Sequence, residues 1–123
     1  DVNGEYMGAD KKVHRTEKFN KRTIFSGWDV FRSQFPLQAM INPHLVSDAL
    51  NSLITMADQS GREYYERWEL LNSYSGCMIG NPALSVLADA YMKAHTMWKK
   101  HISMQSTRRL SLGMICWDIH LNR

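Results

Sequence analysis

The side chains of this chain that could do chemistry are few and scattered. Two cysteines, Cys77 and Cys116, are too few for a disulfide framework and lack metal-ligand spacing. No histidine lies near Cys77 in sequence, so it reads as a small apolar residue rather than a nucleophile. The five histidines, at positions 14, 44, 95, 101 and 120, show no zinc pattern. Neither a glycine-rich phosphate loop nor a Ser-His-Asp signature occurs. What remains is two carboxylate–indole neighbours, Trp28 with Asp29 and Trp68 with Glu69. Taken alone, Asp29 reads as a carboxylate in the first turn of a helix, where the helix dipole favours it. Trp28 and Trp68 read as core or interface tryptophans, and Glu69 as an ion-pair partner of Arg67 or Arg62.

The elements that position these residues are mostly helical. The first 25 residues form short extended pieces: Asn3-Gly4 is a turn dipeptide, Glu5 to Met7 a strand, and Gly8 to Lys12 a polar turn before Val13-His14. Arg22 to Phe25 is a second extended candidate. From Ser26, a capping residue, Trp28, Phe31, Phe35 and Leu37 recur at helical spacing, and Pro36 is expected to break the run into two short helices. Asn42-Pro43 starts the clearest helix, with Val46, Ala49, Leu50, Leu53, Ile54 and Ala57 on one face and a Ser60-Gly61 stop. A loop is expected from Gly61 to about Gly80, after which Asn81-Pro82 repeats the start signal ahead of Leu84, Leu87, Ala88 and Tyr91. The eight methionines read as packing residues.

Composition sets the outer limits. The 123 residues carry 15 Lys+Arg against 12 Asp+Glu, with 44% hydrophobic and 22% charged, an ordinary globular mix of one domain at most. No apolar run reaches the roughly 18 residues of a membrane span. No charged-then-apolar leader opens the chain, which begins at Asp1 rather than Met, so an earlier N-terminus is expected. A mainly α globule with so few amphipathic helices cannot close its apolar faces on itself, which makes a piece of an all-α domain the expected architecture.

Three stretches carry more than periodicity: Gly4 to Arg15 (GEYMGADKKVHR), Phe25 to Leu37 (FSGWDVFRSQFPL), and Arg67 to Lys93 (RWELLNSYSGCMIGN followed by PALSVLADAYMK). In order and spacing they closely resemble glycoside hydrolase family 92, the bacterial α-mannosidases. The shared pattern is a glycine-rich turn into a KVH-like strand, a WDTFR-type helix start, and a QSG helix stop at Gln59 to Gly61. A W-E-L segment, a G-x-M-x-G turn and an IADAY helix follow. The resemblance spans residues 3–94.

It implies a β-sandwich domain followed by an (α/α)6-barrel catalytic domain, of which residues 1–94 would be a part, with the short N-terminal hairpin segment ahead of the helices. It also implies a calcium-dependent exo-α-mannosidase that inverts the anomeric centre of mannose-containing oligosaccharides of the N-glycan type. Inversion needs one protonated carboxyl for the leaving oxygen and a second carboxylate to activate water. The family draws that pair from G-N-E-P and D-D-x-G segments, and neither occurs here. The resemblance therefore implies no catalytic residue and no complete calcium site in this chain. Carried over residue by residue, Trp28 and Asp29 match the turn lining the mannose pocket, and Trp68 and Glu69 match the W-E-L segment approaching the same face. A carboxylate accepts two sugar hydroxyls and an indole offers an apolar platform to a C–H face, so these types suit that task. Asn72 and Cys77 match neighbouring positions without an assigned role. The alternative reading is a small non-catalytic carbohydrate-binding helical module. Family members act in the periplasm or outside the bacterial cell.

The C-terminal residues depart from the pattern. Residues 95–123 carry a net +4 while residues 1–94 carry −1, a basic tail of the kind that often contacts nucleic acid. The single codons of Met and Trp allow a different origin. Joining the third base of each codon to the first two of the next, Met97-Trp98 must give Val and Trp98-Lys99 must give Glu. Lys99 to Ile102 then permits K-A-Y, which is the family's V-E-K-A-Y. Met114-Ile115 likewise forces Asp, Cys116-Trp117 Leu and Trp117-Asp118 Gly. Residues 95–123 are therefore expected to be a frame-shifted, non-native tail, its basic charge an accident of the frame, and no nucleic-acid partner is expected. The competing reading is a true amphipathic helix with Trp98 and Ile102 on one face.

Overall fold

The computed structural model describes residues 3–23, 25–62 and 64–97. It opens with an antiparallel hairpin, β1 (Glu5–Met7) against β2 (Val13–Arg15), in the register Glu5↔Arg15, Tyr6↔His14, Met7↔Val13. A two-strand hairpin is marginal in water by itself, and here the last turn of a helix holds it. The Gln59 side chain accepts the Ala9 N–H at 3.2 Å and donates to the Tyr6 hydroxyl at 3.2 Å. Gly8 makes this approach possible, because a Cβ there would lie 2.8 Å from Gln59 Oε1 and 2.6 Å from His14 Cδ2.

After β3 (Phe25–Ser26) come α1 (Gly27–Val30) and α2 (Gln34–Ile41). Two short helices are present as expected, but Pro36 does not separate them. It sits in the first turn of α2, where a missing N–H costs nothing, and the break falls before Gln34. Helix α3 (Pro43–Ser60) begins and ends as the sequence indicates. Asn42 Oδ1 accepts the Leu45 N–H at 3.3 Å, Pro43 takes the first position, and Gly61 closes the helix in the left-handed region at φ +66°.

The stretch expected as a loop contains a second hairpin, β4 (Trp68–Leu70) and β5 (Ser73–Tyr74), which joins β3 in a three-stranded antiparallel sheet of order β3-β4-β5. Its turn residues, Leu71 at φ +52° and Asn72 at φ +57°, both have the positive φ of a type I′ turn. The last described element is α4 (Pro82–Met97), capped by Asn81, whose side-chain oxygen accepts the Leu84 N–H at 3.4 Å. Helix α4 runs three residues into the segment expected to be out of frame. Residues 98–123, and with them most of that expectation, lie outside the described residues.

The core lies where α2, α3 and α4 meet the β3 strand. Val46, Leu50, Leu53, Ile54, Met56 and Ala57 of α3 are buried together with Ala83, Val86, Leu87 and Ala90 of α4 and with Phe25, Phe35, Ala39 and Tyr65. Phe25 and Phe35 meet edge to face, their centroids 6.1 Å apart. The described residues are thus mainly α, with the short N-terminal hairpin that the sequence indicates. Helix α2 leaves Leu37, Met40 and Ile41 exposed, so it is apolar well beyond its buried side.

Candidate functional site

The four residues singled out in the sequence converge on one junction, the turn from β3 into α1 and its pairing with β4. Register does this. Phe25 stands opposite Glu69, and Ser26 opposite Trp68. The Gly27 N–H then donates to the Arg67 carbonyl at 3.0 Å, drawing the turn onto the residue before β4. Only glycine fits at position 27: a Cβ would lie 2.5 Å from Pro82 Cγ and 2.7 Å from the Arg67 oxygen. Three segments distant in sequence meet there.

Strand alternation then sorts the side chains. Facing residues of an antiparallel pair share a face of the sheet, and neighbours along a strand do not. Ser26 and Trp68 occupy one face, both half-buried, while Phe25 and Glu69 point into the core. The sequence expectation set Trp68 and Glu69 toward the same site; the structure sends these two neighbours to opposite faces. Glu69 is 0% exposed. One of its oxygens accepts the Phe25 N–H at 3.3 Å, and the other accepts the Asn72 N–H in the β4–β5 turn. Beside it Lys21, also buried, donates to Asn72 Oδ1 at 2.9 Å and to the Arg22 carbonyl at 3.0 Å. Burial holds the Lys21 ammonium below the usual lysine range, and the Glu69 charge opposes that shift.

Asp29 is exposed. Its carboxylate accepts the Ser26 hydroxyl, so Ser26 does not cap the backbone as the sequence suggests but orients the aspartate instead. Trp28 is half-buried; its indole N–H donates to the Ile79 carbonyl at 2.8 Å, and its ring meets Phe31 edge to face at 5.3 Å. Asp29, Ser26 and Trp68 therefore form the accessible polar and aromatic face of the junction, with Trp28 at its border with the 75–80 segment.

Sequence reading missed a second group, on the Glu69 side of the sheet, where Tyr74 stands opposite Glu69. The Arg62 guanidinium lies over the Tyr74 ring at 4.2 Å, Arg67 is 5.7 Å from the same ring and donates to its hydroxyl, and Tyr64 meets it edge to face at 5.8 Å. Glu66, 4% exposed, takes one hydrogen bond from Arg62 at 3.1 Å, and its other oxygen has no hydrogen-bond partner among the described residues. Burial pushes the Glu66 carboxyl up, against the pull of Arg62. The signal was the W-E-L-x-x-S-Y pattern of a hairpin, hidden because Leu71 stands where asparagine, aspartate or glycine usually opens such a turn.

A cavity of about 160 Å³ lies among Phe25, Phe35, Leu45, Leu53 and Met56. None of Trp28, Asp29, Trp68 and Glu69 lines it, nor does any carboxylate; Arg22, Thr23, Gln34 and Ser52 contribute to its lining, and it lies apart from the junction. Calcium takes about 6–8 oxygen ligands gathered at one point. Among the described residues no three His, Cys, Asp or Glu side chains cluster in that way. The carboxylates are instead engaged separately, Asp10 with His14, Asp48 with Arg22, Glu66 with Arg62 and Asp89 with Lys93. The described residues do not fit a calcium site by themselves.

The profile of the glycosyl hydrolase family 92 catalytic domain matches residues 1–109. The chain belongs to glycoside hydrolase family 92. Among solved structures, it is similar to a family 92 α-mannosidase of Bacteroides thetaiotaomicron, at 29% identity over 78% of this chain, with a TM-score of 0.68. In the structure of that α-mannosidase in complex with mannoimidazole, the match has 28% identity over 89% of this chain and a TM-score of 0.77. The chain spans 15% and 14% of the length of those two chains. No curated protein sequence matches it. The family 92 match runs past residue 94, where the sequence motifs end. Among the described residues no helix is long and apolar enough to cross a membrane.

Proposed function

We propose that this chain supplies part of the mannose-binding wall of an exo-acting, inverting α-mannosidase, within the opening helices of an (α/α)6 barrel. The observation that carries this reading is the Ser26–Trp68 register, which puts Asp29 and Trp68 at one accessible junction in a family 92 chain. Asp29 accepts sugar hydroxyls, its carboxylate already oriented by the Ser26 hydroxyl. Trp68 supplies apolar surface to a sugar C–H face. Glu69 acts from beneath, through the β3 strand and the β4–β5 turn that its two oxygens hold. The relative's complex with mannoimidazole supports a mannose-containing glycan as the ligand class.

The catalytic acid and base, and the calcium ion, belong on this reading to parts of the family domain outside these residues. Inversion requires two carboxyls about 6.5–9.5 Å apart across the scissile bond. The carboxylates near the junction do other work: Glu69 is buried under the sheet and Glu66 is bound to Arg62. The purified 123-residue chain is accordingly expected not to hydrolyse an aryl α-mannoside, with or without added calcium. Measurable turnover that Asp29→Asn abolishes would overturn this assignment.

A further inference from the structure

We propose that Trp28 is a positioning residue, a latch that fixes the 75–80 segment against the Asp29 turn so that Met78 and Ile79 form an apolar wall for the ligand. This rests on the mannoside reading for the ligand class but not for the latch.

Three observations meet at the same place. The Trp28 indole N–H donates to the Ile79 carbonyl at 2.8 Å, across 51 residues of sequence. Gly80 packs directly on the same ring: a Cβ at position 80 would lie 2.9 Å from Trp28 Cζ2, and its φ of +77° also favours glycine. Met78, a residue with a side chain, is held at φ +65°, a conformation that costs about 1–2 kcal/mol. A segment with few bonds of its own does not keep such a residue strained without an outside hold. The local bonds here are slight, a Ser75 hydroxyl to the Trp68 carbonyl and the Cys77 N–H to Ser75 Oγ at 3.2 Å. The indole supplies the hold.

The strain has a product. Met78 is 52% and Ile79 82% exposed, two large apolar side chains placed in water on the segment tied to the residue next to Asp29. Asp29 offers acceptors for hydroxyls, while a pyranose also presents a C–H face that apolar side chains cover. The indole edge carrying the N–H is committed to Ile79 and one part of the ring to Gly80, so Trp28 shapes the pocket mainly through the segment it holds.

The experiment is proton–nitrogen NMR on the ¹⁵N-labelled 123-residue chain, with the Trp28 indole signal assigned by its loss in Trp28→Phe. The latch predicts an indole proton that exchanges about tenfold or more slowly than a free indole. It also predicts that Gly80→Ala, which keeps the donor, shifts that signal. Addition of methyl α-mannoside is expected to move the amides of residues 77–80, with affinity about fivefold to tenfold weaker in Trp28→Phe, the effect of losing one hydrogen bond. An indole exchanging at the free rate, or one indifferent to Gly80→Ala, overturns the latch. A protected indole that Gly80→Ala shifts, with loop amides that ignore the mannoside, removes the sugar reading and leaves the latch standing.

Discussion

Glu69 accepts the backbone N–H of Phe25 at 3.3 Å, so a side chain, as well as the strand ladder, binds β4 to β3. The same carboxylate reaches the Asn72 N–H in the next turn. Removing it leaves the buried Lys21 charge without the carboxylate that opposes its desolvation. Glu69→Ala is therefore expected to destabilise the chain by about 3 kcal/mol, the range for breaking one side of a buried charged network. A shift in the urea midpoint with an unchanged slope checks it; a stability within about 0.5 kcal/mol of the parent would contradict the structural role given to Glu69.

Glu66 gives a pH dependence of the opposite sense to that of most carboxylates. Burial raises its folded-state pKa above the usual 4.5, so the folded state holds this proton more tightly than the unfolded chain does. The stability it contributes is full below the usual 4.5 and is lost as pH rises through the raised folded-state value. Glu66→Gln is expected to flatten the fall in stability as pH rises above 4.5. Parallel urea titrations of parent and variant across that range measure the difference directly.

Asp10 acts the other way. The hydrogen bond from His14 Nε2, at 2.9 Å and 3.0 Å to its two oxygens, holds its carboxyl below the usual 3.8 against desolvation. That contribution is present above the unfolded value and lost as pH falls through it. Because Asp10 lies in the turn that the Gln59 side chain pins, the loss is local. Amides of residues 5–15 are expected to gain hydrogen exchange at low pH before those of α3 do, and Asp10→Asn to show the fast exchange already at neutral pH.

The tail makes a prediction about nucleic acid rather than protein. If residues 95–123 are read out of frame, the DNA encoding them holds V-E-K-A-Y in the alternative frame, with G-N-E-P and D-D-x-G segments beyond it. Sequencing the gene through Tyr91 to Arg123 and onward tests this. A shifted frame without V-E-K-A-Y overturns it.

The helices were legible because their signals are local. Asn42 with Pro43, the spacing from Val46 to Ala57, and Gly61 after Ser60 each state a boundary or a face without reference to anything distant. Pro36 shows where locality misleads: a proline ends one helix or begins another, and only the position of its unneeded N–H decides which. The β4–β5 hairpin was invisible for two reasons. Its strands are two and three residues long, too short for alternation to register, and Leu71 holds a positive φ that sequence assigns to glycine or asparagine. That omission carried over to the site. Trp68 and Glu69 read as one motif, and only a strand, with its period of two, separates the face each one serves.

Mannoside recognition at the β3–α1 junction is the central claim, and Asp29 is the residue to measure. Asp29→Asn keeps the shape and the exposed position while removing half of the acceptor capacity. Titration of the 123-residue chain with mannoimidazole, followed by NMR, is expected to perturb residues 26–30 and the Trp68 indole, with affinity about tenfold weaker in Asp29→Asn, the scale of a charge-assisted hydrogen bond. Perturbations confined to the apolar cavity beneath the sheet, or an affinity unchanged by Asp29→Asn, would contradict the account.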